Sequence, residues 1–329
     1  MTDLPKISIY WASSCGGCEI SFVNINEKIL DVAANFNLFF CPCLLDTKKS
    51  DVEALLDKDI AITFFNGSIK NEDNLEMAVL LRKKSQILIA FGSCSSEGCI
   101  PGLSNLHSLD DSMKAIYLDN LTTVNPDGII PQHQTQVPEG ILTIPEIYER
   151  VRTLAQVVDI DYYIPGCPPE PHQIWNVIDH IIQQKPLPEK GSVLGAGRST
   201  VCDECNRTKG NKTIKRFYRT YEIIPEPDIC LLEQGLICMG IATRDGCGGL
   251  CPKVNMPCTG CYGTPDGILD QGAKMAAALG SILDIGDVKG LEDEEINKRI
   301  DDIIGAIPDF AGMFYKYSLC SSILKGRAL

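Results

Sequence analysis

Long apolar runs are missing from this chain. No stretch approaches the roughly 18 uninterrupted apolar residues of a membrane-spanning helix; even Gly267 to Ile285 is broken by Asp270, Lys274 and Asp284. Positive charge is in deficit, with 30 Lys and Arg against 43 Asp and Glu and a formal net charge of −13, which makes nucleic acid a poor partner. Histidine is scarce: His107, His133, His172 and His180 show no ligand spacing to one another, so each reads as a surface or satisfied core residue. The chain has no P-loop, no nucleophile elbow and no G-x-G-x-x-G after a strand, and Gly195-Ala196-Gly197 reads as a linker. The opening MTDLPKISIYW has no basic region, apolar core or twin arginine, so the expected compartment is the cytoplasm.

Cysteine is abundant, with 16 in 329 residues. In a reducing compartment so many thiols point to metal rather than to disulfides. The length suits about two domains, and the 44% hydrophobic and 22% charged residues exclude a disordered chain.

The first half alternates strand and helix signals. Ile7 to Ala12, Leu38 to Leu45, Ile60 to Phe65, Ile87 to Phe91 and Tyr162 to Pro165 are short and almost continuously apolar, as parallel strands buried on both faces are. Phe22, Ile25, Ile29, Ala33 and Phe36 fall on one face of a helix between the first two. This alternation predicts an α/β domain with a flavodoxin-like doubly wound parallel sheet. Residues 100 to 145 read as a long connection, Ile144 to Val158 as a helix, and Gln173 to Gln184 as another that ends at Lys185-Pro186-Leu187-Pro188. The expected domains are therefore residues 1–188 and 189–329. The second is cysteine-rich, with little regular structure until two C-terminal helices, Gly267 to Leu283 and Glu292 to Ile307. The latter reads as an amphipathic helix packed on its own domain.

The cysteines fall into two sets. In the first, Cys15 and Cys18 follow the first strand, Cys94 follows the fourth and Cys167 follows the fifth. Each sits at the carboxyl end of a parallel strand, where open α/β sheets place their ligands. Four thiolates there suit tetrahedral zinc or a [4Fe-4S] cubane. Zinc ribbons usually pair two C-x-x-C knuckles, whereas here one C-x-x-C joins two isolated cysteines, which favours the cubane. In the second set, Cys202, Cys205, Cys230 and Cys238 form one group and Cys247, Cys251, Cys258 and Cys261 another. Eight thiolates can complete two more cubanes, although a ligand in such a run can serve the other cluster. Cys41, Cys43, Cys99 and Cys320 remain, and read as small buried hydrophobes or free thiols.

Together SSCGGC, GSCSSEGCIPG, YYIPGCPP and the cysteine-rich tail resemble the small, electron-transferring subunit of [NiFe]-hydrogenases over about residues 5 to 265, and within it the cytoplasmic methyl-viologen-reducing branch that works with heterodisulfide reductase. The resemblance implies three [4Fe-4S] clusters: a proximal one on Cys15, Cys18, Cys94 and Cys167 facing the nickel-iron centre of a separate large subunit, a distal one on Cys202, Cys205, Cys230 and Cys238, and a medial one on Cys247, Cys251, Cys258 and Cys261. It implies no catalytic residue on this chain, and as partners the large subunit and an electron-accepting iron-sulfur or flavin subunit such as that of heterodisulfide reductase. Periplasmic members carry a histidine ligand where Cys202 stands, only three irons where Cys251 supplies a fourth thiolate, and a Gly-Gly pair where Cys99 lies.

Glu19 and Glu97 flank the proximal cysteines, Glu19 reading as a helix-start carboxylate. Arg207, Lys209, Lys212, Lys215, Arg216 and Arg219 form a basic run without an acidic residue, a local field suited to docking an electron partner. Two other readings fit parts of the pattern: a cluster-bearing subunit of a quinone reductase related to complex I, and a zinc-stabilised interaction protein.

Overall fold

The computed structural model describes residues 4–324. They form two compact units: one runs to Gly195 and takes back the segment that begins at Leu319, and the other is Ala196–Ser318. The division thus falls beyond the prolines at 186 and 188. Residues 191–194 still belong with the sheet, since Tyr163 N–H donates to Ser192 O (3.1 Å) and Leu194 N–H to Tyr163 O (2.8 Å).

Nine strands are present among the described residues: β1 Lys6–Trp11, β2 Asn37–Phe40, β3 Ile60–Asn66, β4 Ile69–Asn71, β5 Ser85–Phe91, β6 Gln134–Val137, β7 Gly140–Thr143, β8 Ile147–Arg152 and β9 Tyr162–Ile164. Five make the main sheet, in the order β2-β1-β3-β5-β9, all parallel. That is the flavodoxin-like 2-1-3-4-5 order. Alternation along β3 fills both faces. Ile62 and Phe64 join Phe22, Val32, Phe36, Ile174 and Ile178 on one side, while Ile60 and Phe65 join Val52, Met77, Leu81 and Leu154 on the other. Burying each such large apolar side chain contributes about 1.5–3 kcal/mol.

Local propensity is overridden in three places. The segment expected as a helix from Ile144 to Val158 is instead strand β8, paired antiparallel with β4, followed by a short 3-10 turn at Leu154–Gln156. Asn105 decides the extended form: its side chain accepts from Val151 N–H (2.8 Å) and donates to Val151 O (2.9 Å). The apolar stripe from Phe22 to Phe36 is not one helix but Gly17–Val23 and Ile29–Asn35 with a 3-10 turn between them. The break at Asn26, where φ is +59°, rotates the second helix so that Val32 is buried and Ala33 exposed. Leu38 to Leu45 forms a strand only as far as Phe40; Pro42 then lies in a turn that leaves Cys41 buried, Cys43 exposed and their sulfurs 3.4 Å apart.

The second unit is cysteine-rich and short of regular structure, yet it has an apolar core. Val201, Ile214, Phe217, Ile237, Met239 and Ala242 pack with Met275 and Leu279 of the helix Gln271–Ile282, and with Ile303 of the helix Asp293–Ile304 and the following Ile307. The amphipathic C-terminal helix therefore packs its apolar side within its own unit, as its pattern predicts.

Candidate metal centres

Parallel register brings the first set of cysteines together. Trp11 of β1, Asn66 of β3, Phe91 of β5 and Ile164 of β9 are successive partners in one row across the sheet. The loops that leave β1, β5 and β9 therefore start at the same level. They carry Cys15 and Cys18, Cys94, and Cys167. Gly92 N–H donates to Ile164 O and Ser93 N–H to Gly166 O, both at 2.8 Å, which ties the second loop to the third. The first is joined to the third by the Ser21 hydroxyl, which donates to Pro169 O.

Backbone approach here is close. Gly92, with φ +81°, would place an added Cβ 2.4 Å from the Cys18 sulfur. Gly16 adopts φ +81° under the Trp11 ring, 2.8 Å from where a Cβ would sit. Burial pushes the Cys18 thiol up first, and the negative charges of Glu19, Cys94, Cys167 and Cys15 push it further. Positive charge beside Cys18, which an iron-sulfur core or a metal ion supplies, would offset this burial and repulsion. Among the described residues, no three His, Cys, Asp or Glu side chains converge tightly enough to hold a single metal ion. The all-sulfur donor set is soft and fits a cluster, whose irons each need one thiolate.

Two neighbours are not evident from the sequence. Glu19 is more than a helix-start carboxylate: it is 7% exposed, and Asn66 Nδ2 lies 2.8 Å from both of its oxygens and also donates to Ser14 Oγ at 2.8 Å. Burial raises its carboxyl above the usual range, against the Asn66 bond, which lowers it. Cys99, by its spacing a structural thiol, is 1% exposed with its sulfur 3.6 Å from that of Cys167. The bond from Cys99 draws the Cys167 thiol down, against the effect of burial. Its one mark in the sequence is its place five residues after Cys94, within one loop. Cys320 does behave as a buried structural thiol: Asn105 Nδ2 donates to its sulfur (3.4 Å) and its own S–H points to Val151 O (3.5 Å). Of the four histidines, His107, His133 and His172 are exposed, and His180 bonds Pro186 O at 3.0 Å.

In the second unit Cys202 sits on the short helix Val201–Glu204. Its thiol is pushed up to about 12, chiefly by burial and then by the negative charge of Cys238, with smaller contributions from Cys230 and Cys205 and an opposing one from Lys209. Cys230 is placed by its N–H, which donates to Thr208 O (2.9 Å). The Cys238 sulfur accepts from Cys258 N–H at 3.3 Å. In the other group, Glu204 clamps the Cys247 loop by accepting from Gly246 N–H (2.8 Å) and Gly248 N–H (2.9 Å). Burial raises the Cys247 thiol, backbone N–H groups of Gly249 and Leu250 oppose this, and Glu204 and Cys251 add to it. Cys258 is raised by burial, then by Cys238, and more weakly by Cys261. The two groups of four thus meet at Cys238 and Cys258.

The basic run is less of a field than its sequence suggests. Arg207 is 6% exposed and its guanidinium donates to Pro252 O (2.8 and 2.7 Å), Glu226 O and Ile229 O (both 3.0 Å). Lys215 lies 3.7 Å from Asp284, and Arg216 lies 3.6 Å from Glu222.

Comparison with known proteins agrees with this architecture. The family described as NADH ubiquinone oxidoreductase, 20 Kd subunit, matches residues 15–181. The iron-sulfur subunit of the F420-non-reducing hydrogenase of Archaeoglobus profundus is 34% identical over 328 residues, covering 98% of each chain. The corresponding subunit of the F420-non-reducing hydrogenase of Methanothermobacter marburgensis is 34% identical over 327 residues, covering 98% of this chain and 97% of its own. The delta subunit of the NAD-reducing hydrogenase HoxS of Cupriavidus necator is 29% identical over 189 residues, 57% of this chain and 83% of its own. A chain of the recombinant [NiFeSe] hydrogenase of Desulfovibrio vulgaris Hildenborough superposes with a TM-score of 0.51 at 16% identity, covering 80% of this chain and 94% of that one, a likeness of fold. With an α/β module in flavodoxin-like order, cysteines at its strand ends and relatives matched from end to end, the chain belongs to the family of the NADH ubiquinone oxidoreductase 20 Kd subunit and, within it, to the iron-sulfur subunits of F420-non-reducing hydrogenases.

Proposed function

We propose that this subunit conducts electrons between a hydrogenase large subunit, where hydrogen is split at a nickel-iron centre, and a further iron-sulfur or flavin protein such as heterodisulfide reductase, in the cytoplasm. The observation that carries this reading is the convergence of Cys15, Cys18, Cys94 and Cys167 at one end of the sheet, on loops in common register. Those four would hold a proximal [4Fe-4S] cluster. Cys202, Cys205, Cys230 and Cys238 would hold a distal one, and Cys247, Cys251, Cys258 and Cys261 a medial one. Bound clusters supply one-electron redox chemistry. The chain's own work is to present thiolates, to exclude water from buried sulfurs such as Cys18, Cys94 and Cys258, and to aim backbone N–H groups at them, as Cys258 does at Cys238.

The α/β module is shared with the complex I line, as the family match over residues 15–181 reflects. The eight cysteines between 202 and 261 favour the hydrogenase role. Anaerobically purified protein should contain about 12 iron atoms per chain if three cubanes form; near-stoichiometric zinc with little iron would sink the redox reading. Cys94→Ser should remove about 4 of those irons and abolish hydrogen-driven viologen reduction while the large subunit keeps its nickel. Full activity in that variant would show that Cys94 is not a ligand.

A further inference from the structure

Four cysteines lie outside the three groups, and their surroundings differ. Cys99, held at φ +50° after Gly98, and Cys320 are 1% and 2% exposed, as structural thiols are. Cys41 and Cys43 form a pair of another kind. Their sulfurs lie 3.4 Å apart, with Cys41 1% exposed in the apolar core on one face of the sheet and Cys43 open to solvent. The backbone fixes the turn that holds them: Cys41 O accepts from Leu44 N–H (2.9 Å) and Leu45 N–H (2.8 Å), and the ring of Pro42, between the two cysteines, sets its own φ. This turn leaves the end of the edge strand β2, and Pro42, Cys43 and Leu44 are all exposed. An exposed sulfur adds little to packing. One that touches a second thiol is placed for exchange.

We propose that Cys41-Pro42-Cys43 is a reversible dithiol site that exchanges with small linear disulfides, Cys43 attacking and Cys41 resolving. The Cys43 thiolate attacks one sulfur of R–S–S–R; that S–S bond breaks as a mixed disulfide forms on Cys43, and R–S⁻ leaves and takes up a proton. Cys41 then loses its proton to solvent and attacks the Cys43 sulfur, expelling the second R–S⁻, which is protonated in turn. Two thiols of the chain are oxidised to one disulfide, and one R–S–S–R is reduced to two R–SH. Exposure sets the order of the steps, since only Cys43 can meet a reactant from solution. Burial, and then the bond to Cys43, push the Cys41 thiol up, which agrees with its acting second. The second step is intramolecular, across a gap that closes from 3.4 Å to about 2.05 Å, so the mixed disulfide is short-lived. Excess thiol reverses both steps. The site is independent of the cluster reading, because neither cysteine belongs to the proposed ligands.

The test uses the complex, purified anaerobically, incubated with oxidised glutathione, alkylated, digested and read by peptide mass spectrometry. In the unmodified protein the peptide carrying Cys41 and Cys43 should lose two hydrogens, carry no adduct and regain both thiols in dithiothreitol. Cys41→Ser lacks the resolving sulfur and should accumulate a glutathione adduct on Cys43. Cys43→Ser lacks the exposed sulfur, and glutathione on that peptide should fall about tenfold or more relative to Cys41→Ser. A lasting adduct on Cys43 of the unmodified protein would leave a lone reactive thiol and overturns the pair. So does a peptide that stays fully reduced, or a disulfide from Cys43 to any cysteine other than Cys41. Zinc bound by the unmodified protein and lost from Cys41→Ser also overturns the exchange role, by making the turn a metal site. The outcomes for the unmodified protein decide the question even where a variant fails to fold.

Discussion

At the scale of single residues, the sheet-end site depends as much on what is absent as on its sulfurs. Gly92 has no Cβ, and Cys18 occupies the space one would take, 2.4 Å away. Its φ of +81° is a second reason that no larger residue is accommodated. Gly92→Ala is therefore expected to lose about 4 irons per chain while the rest remain, because the Cys18 and Cys94 loops must separate to admit the methyl group. Iron analysis beside far-UV circular dichroism checks this, and full iron content with native spectra would refute it. Asn66 also works at this scale. It reaches Glu19 and Ser14 from the end of β3, so the strand that contributes no cysteine still orients the loop that contributes two.

At the scale of elements, the short strand β9 is secured by a buried charge. Asp161, with its side chain 4% exposed, lies 2.7 Å from Arg82 of the helix Glu72–Lys84 and accepts from Leu88 N–H of β5 at 2.8 Å. Its other oxygen meets Lys190, in the segment that follows Pro186 and Pro188. Burial alone would raise this carboxyl, but the bonds from Lys190, Arg82 and Leu88 outweigh it and hold the group below the usual aspartate range. A lowered folded value means the stabilisation is complete above the unfolded value near 3.9 and is lost as pH falls through the folded one. Asp161→Asn is expected to destabilise the first unit by about 3 kcal/mol at neutral pH, and the gap in urea midpoint from the unmodified protein should narrow below about pH 4. A gap independent of pH would show that shape rather than charge matters at this position.

For the whole molecule, with its −13 net charge, a cluster of exposed cations is a local field of opposite sign. Not all of the 207–219 run is available to such a field. Arg207 is a structural tie, and Lys215 and Arg216 share acidic neighbours; Lys212, Lys215 and Arg216 are nonetheless exposed. Reversing these three to Glu is expected to slow reduction of the protein acceptor by up to about tenfold at low salt, with the difference shrinking as ionic strength rises. Reduction of a small dye should be unaffected. Stopped-flow rates over a salt series decide between this and a merely solvated loop, for which neither rate nor salt slope would change.

The sequence by itself determined the parallel sheet and the place of the first cysteine set on it. Nearly continuous apolar runs such as Ile60–Phe65 have no other stable use than strands buried on both faces, and loops after parallel strands of one sheet emerge at the same end. The cysteine-rich second unit and its amphipathic C-terminal helix were legible for the same reason, since composition and a 3.6-residue period are local properties. Tertiary structure decided what depends on partners distant in the chain. Ile147–Arg152 is extended because Asn105 and β4 bond its backbone, not because of its own propensity. Arg207 is buried because carbonyls at 226, 229 and 252 converge on it, and Glu19 because Asn66 stands 47 positions away. Cys99 faces Cys167 across 68 positions. A thiol's spacing shows which sulfurs can share a loop, but only the packed backbone, here bent through a conformation few residues adopt, decides where each sulfur points.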